Sequence, residues 1–179
     1  MNNQMKENPK QYVDGAVFPF GDTTLTIKHI RNRDMNKIRV YLRTQENEAP
    51  VLCLATGIMG QPDLFRQAVA KFLKEYARRS LGEKVTLFSE KMKVKINTIR
   101  IKEQRTRWGS CSSKGNLNFN WKLVFMPDTV QNYIVVHELA HRKQMNHSVQ
   151  FWNEVENILP DYKERQKLLR SVEKEVLFY

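Results

Sequence analysis

The stretch VVHELAHRKQMNHSVQFW, residues 135–152, carries three of the chain's four histidines. In an α-helix, His137 and His141 are four residues apart, so they lie on one face, one turn above the other. Glu138 lies about 100° around the helix from His137, at the edge of that face. The spacing predicts that two imidazoles reach one metal ion while a carboxylate stays beside it, as in the H-E-x-x-H pattern.

The residues around this pattern predict two helices. PDTVQNYIVVHELAHRKQM has apolar residues at helical spacing, and Pro127 and Asp128 suit its first turn. Asn146 is a candidate left-handed stop, and Ser148 is a candidate N-cap for the next helix, VQFWNEVENI. The two helices would therefore meet at a tight corner that contains His147.

His147 follows His137 by ten residues, and the predicted corner can turn it back towards the metal. A catalytic zinc commonly has three protein ligands and leaves a fourth position to water. His137, His141 and His147 supply that number, so the expected ion is Zn²⁺. An alternative gives the third ligand position to Glu154 on the following helix, with His147 as a substrate contact.

The rest of the chain indicates a mixed α and β protein. Residues 23–54 contain three short segments rich in β-branched and aromatic residues (TLTIKHI, KIRVYLR and PVLCLA), which predict a small antiparallel set of strands. DLFRQAVAKFLKEYARRSL has one apolar stripe and predicts a helix. DYKERQKLLRSVEKEV, after Pro160, predicts a charged closing helix with an Asp161–Arg165 pair.

A second strand region precedes the metal motif. KVKINTIRI alternates, and RTRWGSCSSKGNLNFNWKLV predicts a hairpin with its turn at residues 113–116. In the second arm four apolar residues share one face, namely Leu117, Phe119, Trp121 and Leu123. The expected fold class is therefore α+β, with an antiparallel sheet packed on the helix that carries HELAH and a strand-rich amino-terminal part over residues 1–60.

Length and composition limit the classes of protein. A chain of 179 residues is long enough for one cored domain, so residues 1–179 are expected to form a single domain. No apolar run of membrane-spanning length and no signal peptide is evident, which predicts a cytoplasmic protein without membrane contact. Cys53 and Cys111 are far apart and lack C-x-x-C spacing, which argues against a disulfide framework or a thiolate zinc site. His29 is expected in a loop, without a role in the site.

The formal net charge of +11 favours anionic partners or a solvated basic surface, without distinguishing them. Four cationic residues near the motif could hold phosphates beside a divalent ion, namely Arg105, Arg107, Lys114 and Lys122. The chain has no Walker-type glycine loop, and imidazole ligands suit zinc better than magnesium.

RTRWGSCSSKGNLNFNWKLV followed by VVHELAHRKQMNHSVQFW resembles the YgjP-like metallopeptidases, relatives of SprT-type zinc proteins. The resemblance covers about residues 95–160 and is looser over the amino-terminal strands. It implies a small zincin-type domain with His137, His141 and His147 as metal ligands and Glu138 as the catalytic carboxylate. Relatives of this kind also include proteins described as nucleoside triphosphate pyrophosphatases.

Three functions follow as hypotheses. The first is a zinc metallopeptidase in which Glu138 is the general base for a metal-activated water. The candidates for stabilising the tetrahedral oxyanion are Arg105, Arg107 and Tyr133, and Arg107 is preferred. The second keeps the metal and hydrolyses a nucleoside triphosphate such as UTP. The third is a basic, non-catalytic zinc module that binds nucleic acid, but structural zinc normally has four protein ligands and Glu138 would have no role there.

Overall fold

A computed structural model describes residues 13–58, 60–104 and 106–176. The chain divides into two compact units. The first runs to Phe72 and the second begins at Leu73. The expectation of one domain over residues 1–179 stays a prediction.

The first unit contains a four-stranded sheet formed by β1 (Val17–Phe20), β2 (Thr23–Arg31), β3 (Arg39–Arg43) and β4 (Val51–Thr56). The three predicted segments all form strands, and β1 is an additional one. His29 lies on β2 and not in a loop, since it pairs with Leu54 of β4, and its backbone N–H donates to Asp14 Oδ1 at 2.6 Å. Its ring centroid lies 5.0 Å from that of Phe65.

The order of this sheet is β1-β2-β4-β3, and β2 pairs with β4 in parallel. The prediction of a purely antiparallel set is therefore wrong for this pair, although β1–β2 and β3–β4 are antiparallel. The central position of β4 in the sheet follows from its continuous apolar run, in which Leu52, Cys53 and Leu54 are fully buried. A strand buried on both faces favours a central position, so β4 lies between β2 and β3.

Helix α1 (Pro62–Met92) is longer than the predicted segment, which ended at Leu81. Its buried side recurs at intervals of three or four residues: Phe65, Val69, Leu73, Ala77, Leu81, Val85, Phe88 and Met92. That period keeps one face of the helix against apolar neighbours along its whole length.

The second unit contains a three-stranded sheet of β5 (Thr98–Lys102), β6 (Gly109–Cys111) and β7 (Asn116–Asn120), in the order β5-β7-β6. The predicted β6–β7 hairpin is confirmed by antiparallel pairing, and Gly115 in its turn has a positive φ of 78°. β5 pairs with β7 in parallel, so this sheet is mixed and not purely antiparallel. The second arm leaves the sheet after Asn120 as a 3₁₀ helix, Trp121–Phe125.

Three helices complete the second unit: α2 (Asp128–Ala140), α3 (Val149–Ile158) and α4 (Tyr162–Val176). All three were predicted, and the α+β fold class is confirmed. The Ser148 hydroxyl accepts from the Phe151 N–H at 3.4 Å, so the predicted N-cap of α3 is present. Asn146 does not have a left-handed backbone, because Asn47 and Lys93 are the only non-glycine residues with positive φ in the described ranges.

Helix α2 lies beside β6 and the two following helices. It is buried on most sides, and Val135, Val136, Leu139 and Ala140 are fully inaccessible. A helix held on several faces by close-packed side chains has little freedom to shift, so it fixes the direction of every side chain it carries. None of the described helices is both long and apolar enough for a transmembrane segment.

Candidate metal centre

Helix α2 places His137 in its last turn, and His141 follows as its C-cap with helical backbone angles. Their ring centroids are 5.2 Å apart, as expected for two residues separated by one turn. The turn after His141 leads to the Ser148 cap and brings His147 back over the helix. His147 Nε2 lies 3.1 Å from His137 Nε2.

Ligand atoms of His137, His141 and His147 all lie within 4.8 Å of one another, so the triad is positioned to bind one metal ion. Two imidazole nitrogens on a tetrahedral zinc, each about 2.0–2.1 Å from the ion, are about 3.3 Å apart. The separation of 3.1 Å between His137 Nε2 and His147 Nε2 fits that geometry. The arrangement that the sequence predicted for these three residues is therefore present.

The protonation of the rings also suits a metal. Burial lowers the pKa of His137 to about 3, with the neighbouring His141 and His147 adding to the effect, so its ring is neutral and can offer a lone pair. Burial also lowers the pKa of His141. The His141 Nδ1–H donates to the Gln144 carbonyl oxygen, with 3.1 Å between the two heavy atoms. This bond leaves the lone pair of Nε2 available to bind a metal ion.

Glu138 follows His137 on α2 and is only 6% exposed. Burial raises the pKa of its carboxyl to about 7, while the positive charge of Arg107 acts in the opposite direction. A carboxyl group with a pKa in this range can accept and return a proton near neutral pH. Perturbed groups of this kind gather at functional sites more often than elsewhere.

The model of the YgjP-like metallopeptidase domain matches residues 1–172 of the chain. The chain belongs to the YgjP-like metallopeptidase family. A histidine triad that can hold a metal is therefore present in a member of a metallopeptidase family, and a metal-dependent hydrolase is the activity that the family implies.

Two solved structures resemble this YgjP-like protein. One is the metallopeptidase zymogen jannalysin of Methanocaldococcus jannaschii, with 26% identity, a TM-score of 0.45, and coverage of 52% of this chain and 95% of that one. The other is the metallopeptidase zymogen abylysin of Pyrococcus abyssi, with 25% identity, a TM-score of 0.40, and coverage of 57% and 94%. A search of curated proteins finds no match to the chain.

The remaining predicted site residues of the YgjP-like protein are less closely gathered. Arg107 is exposed, and its charge acts on Glu138. Arg105 lies outside the described residues. Tyr133 is 3% exposed, and its hydroxyl accepts from Gln166 Nε2 at 3.3 Å, which points the oxygen towards α4.

Glu154 and the two lysines of the phosphate hypothesis have other surroundings. The Glu154 carboxylate forms an ion pair with Lys143 Nζ at 2.7 Å, and Glu154 is not among the described residues whose ligand atoms converge with those of the triad. Lys114 is exposed in the hairpin turn. Lys122 is partly buried, burial lowers its pKa, and Glu103 partly offsets that effect. A phosphate site built from these residues has no support in their surroundings.

Three further residues lie near the candidate metal centre of the YgjP-like protein. The Arg142 guanidinium donates to the carbonyl oxygens of Lys95 at 3.1 Å and Ser113 at 2.8 Å, which ties the end of α2 to the hairpin turn. The Trp152 ring centroid lies 5.9 Å from those of both His137 and His147. Gly109 lies against Glu138. Gly109 lies in RTRWGSCSSKGNLNFNWKLV, and Arg142 and Trp152 lie in VVHELAHRKQMNHSVQFW, but neither stretch predicts these contacts.

Proposed function

We propose that this protein is a zinc-dependent peptidase in which His137, His141 and His147 bind the metal and Glu138 is the general base. The observations that carry the proposal are three converging imidazoles and a buried carboxylate on the residue that follows the first of them. Neutral imidazoles in a three-residue set favour zinc over magnesium or calcium, which prefer oxygen ligands. When bound, zinc supplies Lewis-acid chemistry that polarises a carbonyl group and makes water a better nucleophile near neutral pH.

The protein's own contribution is proton transfer and charge. The Glu138 carboxylate accepts a proton from the attacking water and then donates it to the departing amine. Its raised pKa suits both steps, because the group can change protonation state near neutral pH. Arg107 is the proposed partner of the tetrahedral oxyanion, since its charge already acts on Glu138 and its exposed side chain is free of the packed core.

An extended peptide also suits the edge of the second sheet. β6 is an edge strand that pairs with β7 alone within the described ranges. The Asn120 N–H donates to the Trp108 carbonyl at 2.9 Å, and the Ser112 N–H donates to the Asn116 carbonyl at 3.0 Å. Antiparallel pairs alternate between bonded and non-bonded residues, so the backbone groups of Gly109 and Cys111 point away from β7.

Those outward N–H and C=O groups begin at Gly109, beside Glu138. A substrate strand can pair with such an edge through its main chain, which requires no particular side-chain sequence. This is a specific reason to prefer a peptide over a nucleotide as the substrate.

The test combines metal analysis with two substrates. Purified protein is analysed for metal by mass spectrometry and then incubated with zinc and either casein or UTP. We expect bound zinc and casein cleavage that is lost in Glu138→Gln, while Glu156→Gln, an exposed glutamate on α3, cleaves as the wild type does. Pyrophosphate release from UTP with intact casein would overturn the peptide assignment, and normal cleavage by Glu138→Gln would overturn the role of Glu138.

A further inference from the structure

Gly109, the first residue of β6, does not need to be glycine for its backbone. Its φ lies outside the left-handed range, unlike those of Gly15, Gly60 and Gly115. Alanine could therefore adopt the same backbone conformation without strain. The requirement for glycine has to come from the space around it.

That space is filled by Glu138. A Cβ atom at Gly109 would lie 2.7 Å from Glu138 Cγ, 2.7 Å from Oε1 and 2.9 Å from Cδ, and these are its three nearest atoms. Separations of this size are well below the usual contact distance between carbon atoms, about 3.5–4.0 Å. The stem of the glutamate is involved as well as its carboxylate end, so a small rotation of the carboxylate alone would not relieve the contact.

Helix α2 cannot easily move away from an added methyl group. Val135, Leu139 and other neighbours of Glu138 on the helix are fully buried, and β6 is paired with β7 on its other side. Closely packed elements of this kind respond to added volume by displacing side chains. The group displaced here would be Glu138, because it alone supplies the nearest atoms.

We propose that Gly109 is a positioning residue: because it has no side chain, the Glu138 carboxylate can lie against β6 on the helix that carries His137. Gly109 itself contacts no metal ligand among its nearest atoms, so its effect passes through Glu138. The expected effect of Gly109 on catalysis rests on the proposed function. The contact between Gly109 and Glu138 does not, because it exists without metal or substrate.

The decisive experiment is a double-mutant cycle in the metal-free protein, with urea unfolding as the measurement. The variants are Gly109→Ala, Glu138→Ala and the double variant. We expect Gly109→Ala to lower the urea midpoint of the wild type but not that of Glu138→Ala, where removal of the glutamate side chain makes room for the methyl group. Gly82→Ala is the matched control, since a Cβ there meets nothing within 4 Å, and its midpoint should not fall.

An equal loss in both backgrounds would overturn the proposal, because Gly109 would then be needed for packing unrelated to Glu138. If Gly109→Ala does not fold, a folded double variant supports the proposal and an unfolded one overturns it. Where the wild type cleaves casein, zinc-loaded Gly109→Ala should keep its metal and KM but lose about tenfold or more in kcat, within the range for general bases. An inactive wild type would reject the peptidase while the cycle still decides the role of Gly109.

Discussion

Glu138→Gln is expected to stabilise the metal-free protein at alkaline pH. The carboxyl pKa is raised from 4.5 to about 7 in the folded protein. Each pKa unit corresponds to about 1.4 kcal/mol, so the buried carboxylate costs on the order of 3 kcal/mol once it is ionised in both states. Glutamine has nearly the same shape and no charge, and therefore avoids this cost.

The direction with pH follows from the proton balance. Between pH 4.5 and about 7 the folded protein holds a proton on Glu138 that the unfolded chain has lost, so stability falls as pH rises through this window. His137 acts oppositely: its pKa is lowered from 6.5 to about 3, so its neutral ring adds stability as pH rises from about 3 to 6.5. Both proteins contain His137, and the difference between wild type and Glu138→Gln isolates the glutamate.

The assay is urea unfolding after removal of metal with a chelator, at pH 5 and pH 8. Glu138→Gln should be more stable than the wild type by about 1–3 kcal/mol at pH 8, with a much smaller difference at pH 5. Glu156→Gln, on the exposed side of α3, should change little at either pH. Equal stability of wild type and Glu138→Gln at pH 8 would refute the reasoning, because the carboxylate would then carry no burial cost.

Further predictions concern the metal, the core and the end of α2. His147→Ala should lower zinc affinity in calorimetric titration, whereas Glu154→Ala should leave it unchanged. The reverse result would assign the third ligand position to Glu154 instead of His147. Leu81→Ala should cost about 2–5 kcal/mol of unfolding free energy because Leu81 is fully buried, while Leu87→Ala, 48% exposed on the same helix, should cost far less. Arg142→Ala should lose about 1–3 kcal/mol by urea unfolding, since the carbonyl oxygens of Lys95 and Ser113 lose a charged donor, and an unchanged midpoint would contradict this.

The cost of burying Glu138 is typical of an active site, where groups are held in positions that do not favour stability. The packed, apolar residues on the other faces of α2 stabilise the helix and offset this cost. The same rigidity that keeps the histidines aligned makes the carboxylate difficult to move. Stability and the proposed chemistry therefore depend on the same helix and oppose each other at Glu138.

Many elements were predictable because their signals are local. The positions of His137 and His141 follow from the helical period, and the Ser148 cap follows from a side chain that bonds within three residues. Helices α3 and α4 match their predicted segments for the same reason. The parallel pairing of β2 with β4 was missed, since strand-forming residues show that a strand exists but not which neighbour it takes.

The donor set is encoded locally: three histidines stand at spacings that one helix and one turn can bring together, with a glutamate next to the first. The burial of this glutamate, its raised pKa and the contact of its stem with Gly109 on β6 depend on the folded protein. Helical spacing is a short-range property written into neighbouring residues. Burial and the contact between β6 and α2 join residues far apart in the chain, and no local pattern encodes such a distance.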